Sequence, residues 1–207
     1  MNNDLRSIDE LIASQKVEKI INRNWILAGH TSQWSKTGDF RVLNVGAESA
    51  IIVRGENGDL SGFANVCRHR GSLVCLEHAG NTDKFTCPYH GWMYGIDGSL
   101  VAARNMGDGF EMSEYGLKTV SVGIIHGLVF VSFCEDPPAL QGAIRDLQAV
   151  MQMYDFENLK VAAQKSYSIP ANWKLSIENY QECYHCATAH PEYAQLHTLM
   201  LDREKRK

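Results

Sequence analysis

The sequence predicts an α+β fold, in which a mainly β domain, an antiparallel β-sandwich, precedes the incomplete start of a second domain. From Phe40 onward, short apolar runs alternate with turn signals, which is typical of antiparallel strands. Helical spacing of apolar residues returns after the Asp-Pro-Pro turn at 136–138 and again after Asn172. The chain therefore divides into an N-terminal helical segment at 1–38, the β domain at 39–150 and the first part of the second domain at 151–207.

Composition and charge narrow the class of protein. The 207 residues are 44% hydrophobic and 21% charged, which is ordinary for a globular protein with a hydrophobic core. The net charge of −4 and the lack of a basic stripe argue against nucleic acid as a partner. No apolar run approaches the roughly 18 residues of a membrane span, so no membrane partner is expected. Six cysteines without a secretion signal indicate thiols or metal ligands in a reducing compartment, so we expect a cytoplasmic protein.

Each element rests on a local pattern. Residues 8–34 carry a helical period whose tail also suits a strand. Apolar residues at helical spacing predict a helix at 139–154, and the run at 161–169 predicts a strand. The strands of the β domain are predicted at 41–45, 50–53, 62–65, 92–96 and 127–133.

A further helix is predicted from Asn172, a favoured N-cap residue. At about 100° per residue, its apolar and polar side chains separate onto opposite faces. The face expected to pack consists of Trp173, Ile177, Tyr180 and Tyr184. The polar face presents two carboxylates and an imidazole, from Glu178, Glu182 and His185. His190 precedes Pro191, which disfavours helical geometry there, so its ring can turn back toward His185.

Two loops of the β domain each combine one cysteine with one histidine, in C-R-H-R-G at 67–71 and C-P-Y-H-G-W at 87–92. This pairing suits a binuclear cluster with two thiolates on one iron and two imidazoles on the other, the Rieske [2Fe–2S] arrangement. The alternative is a structural zinc site, which uses the same residue types but usually pairs like ligands on each loop. The candidate ligands are Cys67, His69, Cys87 and His90.

With the run E-N-Y-Q-E-C-Y-H-C-A-T-A-H at 178–190, these motifs resemble the large (α) terminal subunit of the Rieske non-haem iron oxygenases, of the aromatic-ring-hydroxylating type. The resemblance implies a helix-grip catalytic domain after the Rieske domain. It also implies electron transfer from the [2Fe–2S] cluster to a mononuclear Fe(II), which activates O₂ to oxidise a small organic, aromatic substrate. The implied partners are a separate NAD(P)H-dependent reductase, with or without a ferredoxin, and further subunits in a homotrimer or an α₃β₃ hetero-hexamer.

The resemblance also assigns roles in the second motif. His185 and His190 are implied to bind the mononuclear iron, while Glu182 bridges His90 of one subunit to His185 of its neighbour as the inter-subunit electron-transfer route. The family usually has Asp at the bridge, and Glu is familiar from members that act on quaternary ammonium compounds. The alternative function is therefore a monooxygenase or N-demethylase acting on a quaternary ammonium or other non-aromatic substrate.

Further alternatives concern the extent of the chain and the second motif. The family's third iron ligand, an acid far downstream, has no counterpart before Lys207, so we expect a fragment or a truncated chain. A stand-alone Rieske electron carrier is a second function to consider, although it would have no use for His185 and His190. Cys183-x-x-Cys186 beside these histidines could instead form a zinc or dithiol site.

Overall fold

The computed structural model describes residues 23–143, 145, 148–182 and 184–196. The chain separates into two compact units, Met1–Ala162 and Ala163–Lys207. The described strands all lie in the first unit. They are β1 (Ile26–His30), β2 (Asp39–Val45), β3 (Glu48–Arg54), β4 (Leu60–Ala64), β5 (Ala79–Asn81), β6 (Lys84–Thr86), β7 (Met93–Gly95), β8 (Leu100–Ala102), β9 (Thr119–Ile125) and β10 (Leu128–Ser132).

These strands form two antiparallel sheets, as the sequence predicts. The larger sheet has seven strands in the order β1-β10-β9-β4-β3-β2-β5, and the smaller has the order β6-β7-β8. Every strand pair is antiparallel. The five strands predicted from apolar runs are confirmed to within two residues at each end.

Strand β3 separates two hydrophobic cores because successive side chains of a strand point to opposite faces. Ala50 and Ile52 pack with Trp34 and the β10 valines, whereas Ile51 and Val53 face the other way. We call this second cluster the loop-side core, because it includes cysteines of both cysteine–histidine loops. It consists of Phe40, Ile51, Val53, Phe63, Cys67, Val74, Phe85, Cys87, Trp92, Tyr94, Leu100 and Leu117.

The helices are short. The predicted helix at 139–154 is found as two pieces, while residues 144, 146 and 147 lie outside the described part of the chain. Within the described residues, no helix is long and apolar enough to cross a membrane. The α-helices are α1 (Leu140–Ala143), α2 (Gln148–Met153), α3 (Trp173–Gln181), α4 (Cys186–Ala189) and α5 (Pro191–Leu196), with 3-10 turns at Thr31–Gln33, Met112–Tyr115 and Phe156–Asn158.

Two local predictions are corrected. The predicted strand at 161–169 is wrong: this stretch has no regular secondary structure, and its apolar side chains, such as Tyr167, are exposed. A strand needs a neighbour for its backbone N–H and C=O groups, and an apolar run alone does not supply one. In the expected helical segment at 1–38, residues 1–22 lie outside the description, and Ile26–His30 is a strand paired with β10.

The second motif also differs from a continuous helix. The Asn172 N-cap is confirmed, because its side chain accepts a hydrogen bond from the Lys174 N–H. However, α3 ends at Gln181, and Glu182 has an extended backbone. The face that was expected to pack is exposed within this chain, from 38% at Trp173 to 95% at Tyr184. Three short helices do not offer these side chains a surface to pack against.

Candidate metal sites

The first cysteine–histidine loop, residues 65–78, connects β4 to β5 and closes on backbone hydrogen bonds. The Cys67 N–H donates to the Ser72 carbonyl at 2.7 Å, and the Gly71 N–H donates to the Cys67 carbonyl at 3.0 Å. Gly71 has φ +72° with no heavy atom near the position of a Cβ, so the backbone turn, rather than lack of space, requires glycine.

The second loop, residues 87–92, connects β6 to β7 on the same backbone frame. The Cys87 N–H donates to the Trp92 carbonyl at 2.8 Å, and the Gly91 N–H donates to the Cys87 carbonyl at 3.0 Å. Gly91 has φ +71°, a backbone conformation that favours glycine. The two loops differ in one respect, since the histidine stands two residues after the cysteine in the first loop and three residues after it in the second.

The two thiols lie together in the loop-side core. Cys67 is 3% exposed and Cys87 is 1% exposed. Burial raises the pKa of the Cys87 thiol, and the neighbouring Cys67 thiol raises it further. Buried thiols of this kind become thiolates when a metal binds them, because the cation offsets the cost of burying their charge.

The Tyr94 hydroxyl contacts this thiol pair. It lies 3.3 Å from Cys67 Sγ and accepts a hydrogen bond from the Arg68 N–H at 3.0 Å. Burial raises the pKa of Tyr94, so the hydroxyl keeps its proton. Because the Arg68 N–H already uses the hydroxyl as an acceptor, the Tyr94 proton is available to Cys67 Sγ.

The two imidazoles form a second pair. The rings of His69 and His90 lie edge to face, with centroids 4.5 Å apart. Burial lowers the pKa of His69, and the nearby His90 and Arg70 lower it further, so the ring is held in the neutral form that binds metals. His69 Nδ1 is buried without a hydrogen-bond partner, which suits a nitrogen that binds a metal. A thiol pair and an imidazole pair fit the two irons of a Rieske cluster.

Asn65 fixes the first loop, and sequence reasoning missed it. Its Oδ1 accepts from the N–H groups of Val74 and Cys75, and its Nδ2 donates to the Cys75 carbonyl and to Ser49 Oγ. Nothing in the sequence distinguishes it from the other asparagines at turns. Tyr94 was also missed, although its position two residues after Trp92 would place both side chains on one strand face.

In the second unit, Glu182 holds His185. One Glu182 carboxylate oxygen contacts His185 Nδ1, and the other accepts from the Tyr184 N–H at 3.0 Å. The hydrogen bond from His185 is the main cause that lowers the pKa of Glu182, so the carboxyl is ionised and can only accept. His185 Nδ1 therefore carries the proton, which leaves the lone pair on Nε2 for a metal.

His190 stands beside His185, as predicted. It follows α4 with a non-helical backbone, and the two ring centroids are 5.6 Å apart at 79°. Both rings line a cleft of about 560 Å³ together with Asn179, Tyr180, Cys186, Ala189, Glu192 and Tyr193. Among the residues described, no three or more histidine, cysteine or acidic side chains form one group for a single ion. Cys183, part of the alternative zinc or dithiol site, lies outside the described residues.

Comparisons with known proteins identify both parts of the chain. A family model of the Rieske [2Fe-2S] domain matches residues 24–120, and one of the ring hydroxylating alpha subunit catalytic domain matches residues 156–204. The glycine betaine monooxygenase oxygenase subunit of Pseudomonas aeruginosa is 42% identical over 185 residues, which are 89% of this chain and 43% of that subunit. Biphenyl 2,3-dioxygenase subunit alpha of Rhodococcus jostii is 34% identical over 188 residues, 87% of this chain and 41% of that subunit.

Solved structures of Rieske oxygenases are also similar to this chain. One structure of a quaternary ammonium Rieske monooxygenase has a TM-score of 0.81 and 32% identity, over 90% of this chain and 53% of its own. Another, which is described in terms of carnitine oxidation and inter-subunit electron transfer, has a TM-score of 0.79 and 33% identity over 87% and 52%. This chain spans about half the length of these relatives. It therefore belongs to the Rieske non-haem iron oxygenases, with a match to the Rieske domain followed by a match to the catalytic domain of a large (α) subunit.

Proposed function

We propose that this chain is part of a terminal oxygenase whose Cys67, His69, Cys87 and His90 hold a [2Fe–2S] cluster and whose His185 and His190 bind a mononuclear Fe(II). The observation that carries the proposal is that a thiol pair and an imidazole pair lie on two loops, and that both loops are closed by the same pattern of backbone hydrogen bonds. When bound, the cluster would supply one-electron transfer, and the iron would supply O₂ activation. The donor sets suit these groups, although only two iron ligands lie among the described residues.

In this proposal, Glu182 both positions a ligand and links subunits. Its ionised carboxylate fixes the tautomer and the plane of His185. The Glu182 side chain is 48% exposed and the His90 ring is exposed, so each can be reached by another molecule. We infer that Glu182 contacts His90 of the partner subunit in a homotrimer or α₃β₃ assembly, as supported by the inter-subunit transfer described for a relative.

For the substrate, a small quaternary ammonium compound is the first candidate. It is supported by Glu182 in place of the usual Asp and by the 42% identity with a glycine betaine monooxygenase subunit. The aromatic substrate expected from the family as a whole is the second candidate, supported by the 34% identity with biphenyl dioxygenase. In the complete subunit with its reductase, O₂ uptake coupled to loss of glycine betaine would support the first. O₂ uptake with biphenyl but not with glycine betaine would favour the aromatic substrate.

A metal and sulfide count on the 207-residue chain, with an EPR spectrum after dithionite reduction, tests the cluster. Two irons, two sulfides and a Rieske signal per chain are expected. Zinc without sulfide or signal would overturn the proposal and favour the structural zinc site. The stand-alone electron carrier is tested by added Fe(II) in the complete subunit. A carrier would bind none beyond the cluster, whereas an oxygenase binds one more iron at His185 and His190.

A further inference from the structure

Trp92 of the second loop lies flat on His69 of the first loop. The ring centroids are 4.8 Å apart, and the two planes differ by only 9°. This is the parallel arrangement in which two flat rings restrict each other's rotation. The stack crosses between the loops, so an indole from one loop sets the position of an imidazole from the other.

The indole is itself held from outside both loops. Trp92 is 2% exposed, and its ring meets the rings of Phe110 and Tyr115 edge to face, at 5.5 and 5.8 Å. Its carbonyl also accepts the Cys87 N–H that closes the second loop. Because both the backbone and the ring of Trp92 are fixed, its face is a rigid reference plane for His69.

The other imidazole has no comparable support. His90 contacts the ring of Tyr89, with centroids 3.8 Å apart at 37°, and Tyr89 is 61% exposed. An exposed side chain restricts a neighbour less than a packed one, because solvent does not oppose its rotation. The two imidazoles therefore differ in how firmly this chain fixes their planes.

Two buried nitrogens on the stacked rings lack hydrogen-bond partners within the described structure, His69 Nδ1 and Trp92 Nε1. Native proteins rarely bury an N–H without an acceptor, so each such atom indicates a missing group. A metal bound to His69 Nδ1 accounts for the first nitrogen. Sulfur atoms of an anionic cluster can accept from the second.

We propose that Trp92 is a positioning residue of the Rieske site, whose indole face sets the plane of the His69 imidazole on its iron. The inference rests on the proposed cluster and goes beyond it by assigning a role to a residue that is not a ligand. Groups that orient a ligand ring also tune the metal, because the overlap between ring and metal orbitals depends on the ring plane.

The test uses EPR g-values and ¹⁵N-histidine couplings of the reduced, cluster-loaded chain. Trp92→Phe keeps a flat ring but loses the indole N–H, so it should retain the parent ¹⁵N-histidine couplings. Trp92→Leu and Trp92→Met remove the flat face and should change both the g-values and the coupling of one histidine only. Phe85→Leu is the matched control, because Phe85 lies in the same loop-side core and its ring packs on Phe40, and it should leave both measurements unchanged.

The outcomes separate this inference from the proposed function. A parent chain without a Rieske signal overturns the proposed cluster, and the role of Trp92 with it. If the parent chain shows the Rieske signal and Trp92→Met has the same g-values and histidine couplings as the parent, only the role of Trp92 is overturned. This holds whether or not Trp92→Leu retains its cluster. Equal changes in Phe85→Leu and Trp92→Met would also overturn it, because general loosening of the loop-side core would then explain the effect.

Discussion

The hydroxyl of Tyr94 shows how a single proton can affect a redox group. It lies 3.3 Å from Cys67 Sγ, in a side chain that is fully buried. A hydrogen bond to a thiolate stabilises the more negative, reduced form of a cluster, so it raises the reduction potential. The Arg68 N–H orients this hydroxyl from the backbone of the same loop.

Tyr94→Phe should therefore lower the reduction potential of the loaded chain. A hydrogen bond of about 0.5–1.5 kcal/mol corresponds to a fall of about 20–65 mV. A redox titration followed by EPR measures it. Tyr115→Phe, which removes a hydroxyl from a ring packed on the same core, is the control and should leave the potential unchanged. An equal potential in Tyr94→Phe and the parent would show that the hydroxyl does not donate to the thiolate.

Glu182→Gln tests the bridge at the same scale. The amide can still fill the space beside His185, but it loses the charge that makes the carboxylate a strong acceptor. In the complete subunit both metal sites should stay occupied, while reoxidation of the reduced cluster in a single turnover slows by about 10–100-fold. Glu178→Gln, one turn earlier on α3, is the control. Parent kinetics in Glu182→Gln would rule out the bridging role.

At the scale of elements, five of the ten described strands were predicted because each of the five is a short apolar run beside turn residues. Helix α3 was predicted to continue through Glu182 because residue spacing ignores competing hydrogen bonds. In the structure, the Glu182 side chain accepts the Tyr184 N–H, and the backbone leaves the helix there. The Glu182–His185 contact was correctly expected, but it is made across a turn.

His30 ties a connecting segment to strand β1. Its Nδ1 accepts from the Ser32 N–H at 3.1 Å, and its Nε2 therefore donates to the Phe156 carbonyl at 2.8 Å. The Val161 N–H also reaches Ser32 Oγ at 3.4 Å. Gly127 leaves room for the ring, because a Cβ there would lie 2.4 Å from His30 Nε2. No sequence pattern pointed to His30, because its contact joins residues 126 positions apart.

His30→Ala should loosen residues 156–161, because it removes the hydrogen bond to the Phe156 carbonyl. Amide hydrogen exchange of these residues should accelerate by about tenfold, the equivalent of about 1.4 kcal/mol in local opening. The exposed His78 provides a control in His78→Ala, which should exchange like the parent. Unchanged exchange in His30→Ala would show that other contacts hold the segment.

At the scale of the whole molecule, the two units differ in how many of the proposed metal ligands each one contains. The first unit contains all four proposed cluster ligands, whereas the second contains two proposed iron ligands and a carboxylate that orients one of them. The chain covers about half the length of its relatives, in keeping with a prediction of four cluster ligands but only two iron ligands.

This difference predicts how the 207-residue chain retains iron. After loading and gel filtration, the cluster iron should remain, because it is bound by four side chains, two of them buried thiols. Added Fe(II) should be removed by the same step, since two imidazoles alone hold it weakly. Iron analysis before and after filtration measures both. Retention of a third iron per chain would show that a further ligand is present.

The two imidazoles of the first site differ in burial, and this difference determines which of them another protein can contact. His69 Nδ1 faces the interior and its ring is braced by a tryptophan, whereas the His90 ring is exposed beside Tyr89. In the proposed cluster site, His90 is the ligand ring that another protein can reach, whereas His69 is covered by Trp92. The proposed electron donor and the proposed electron acceptor would then both dock around His90, and they would have to bind there in turn.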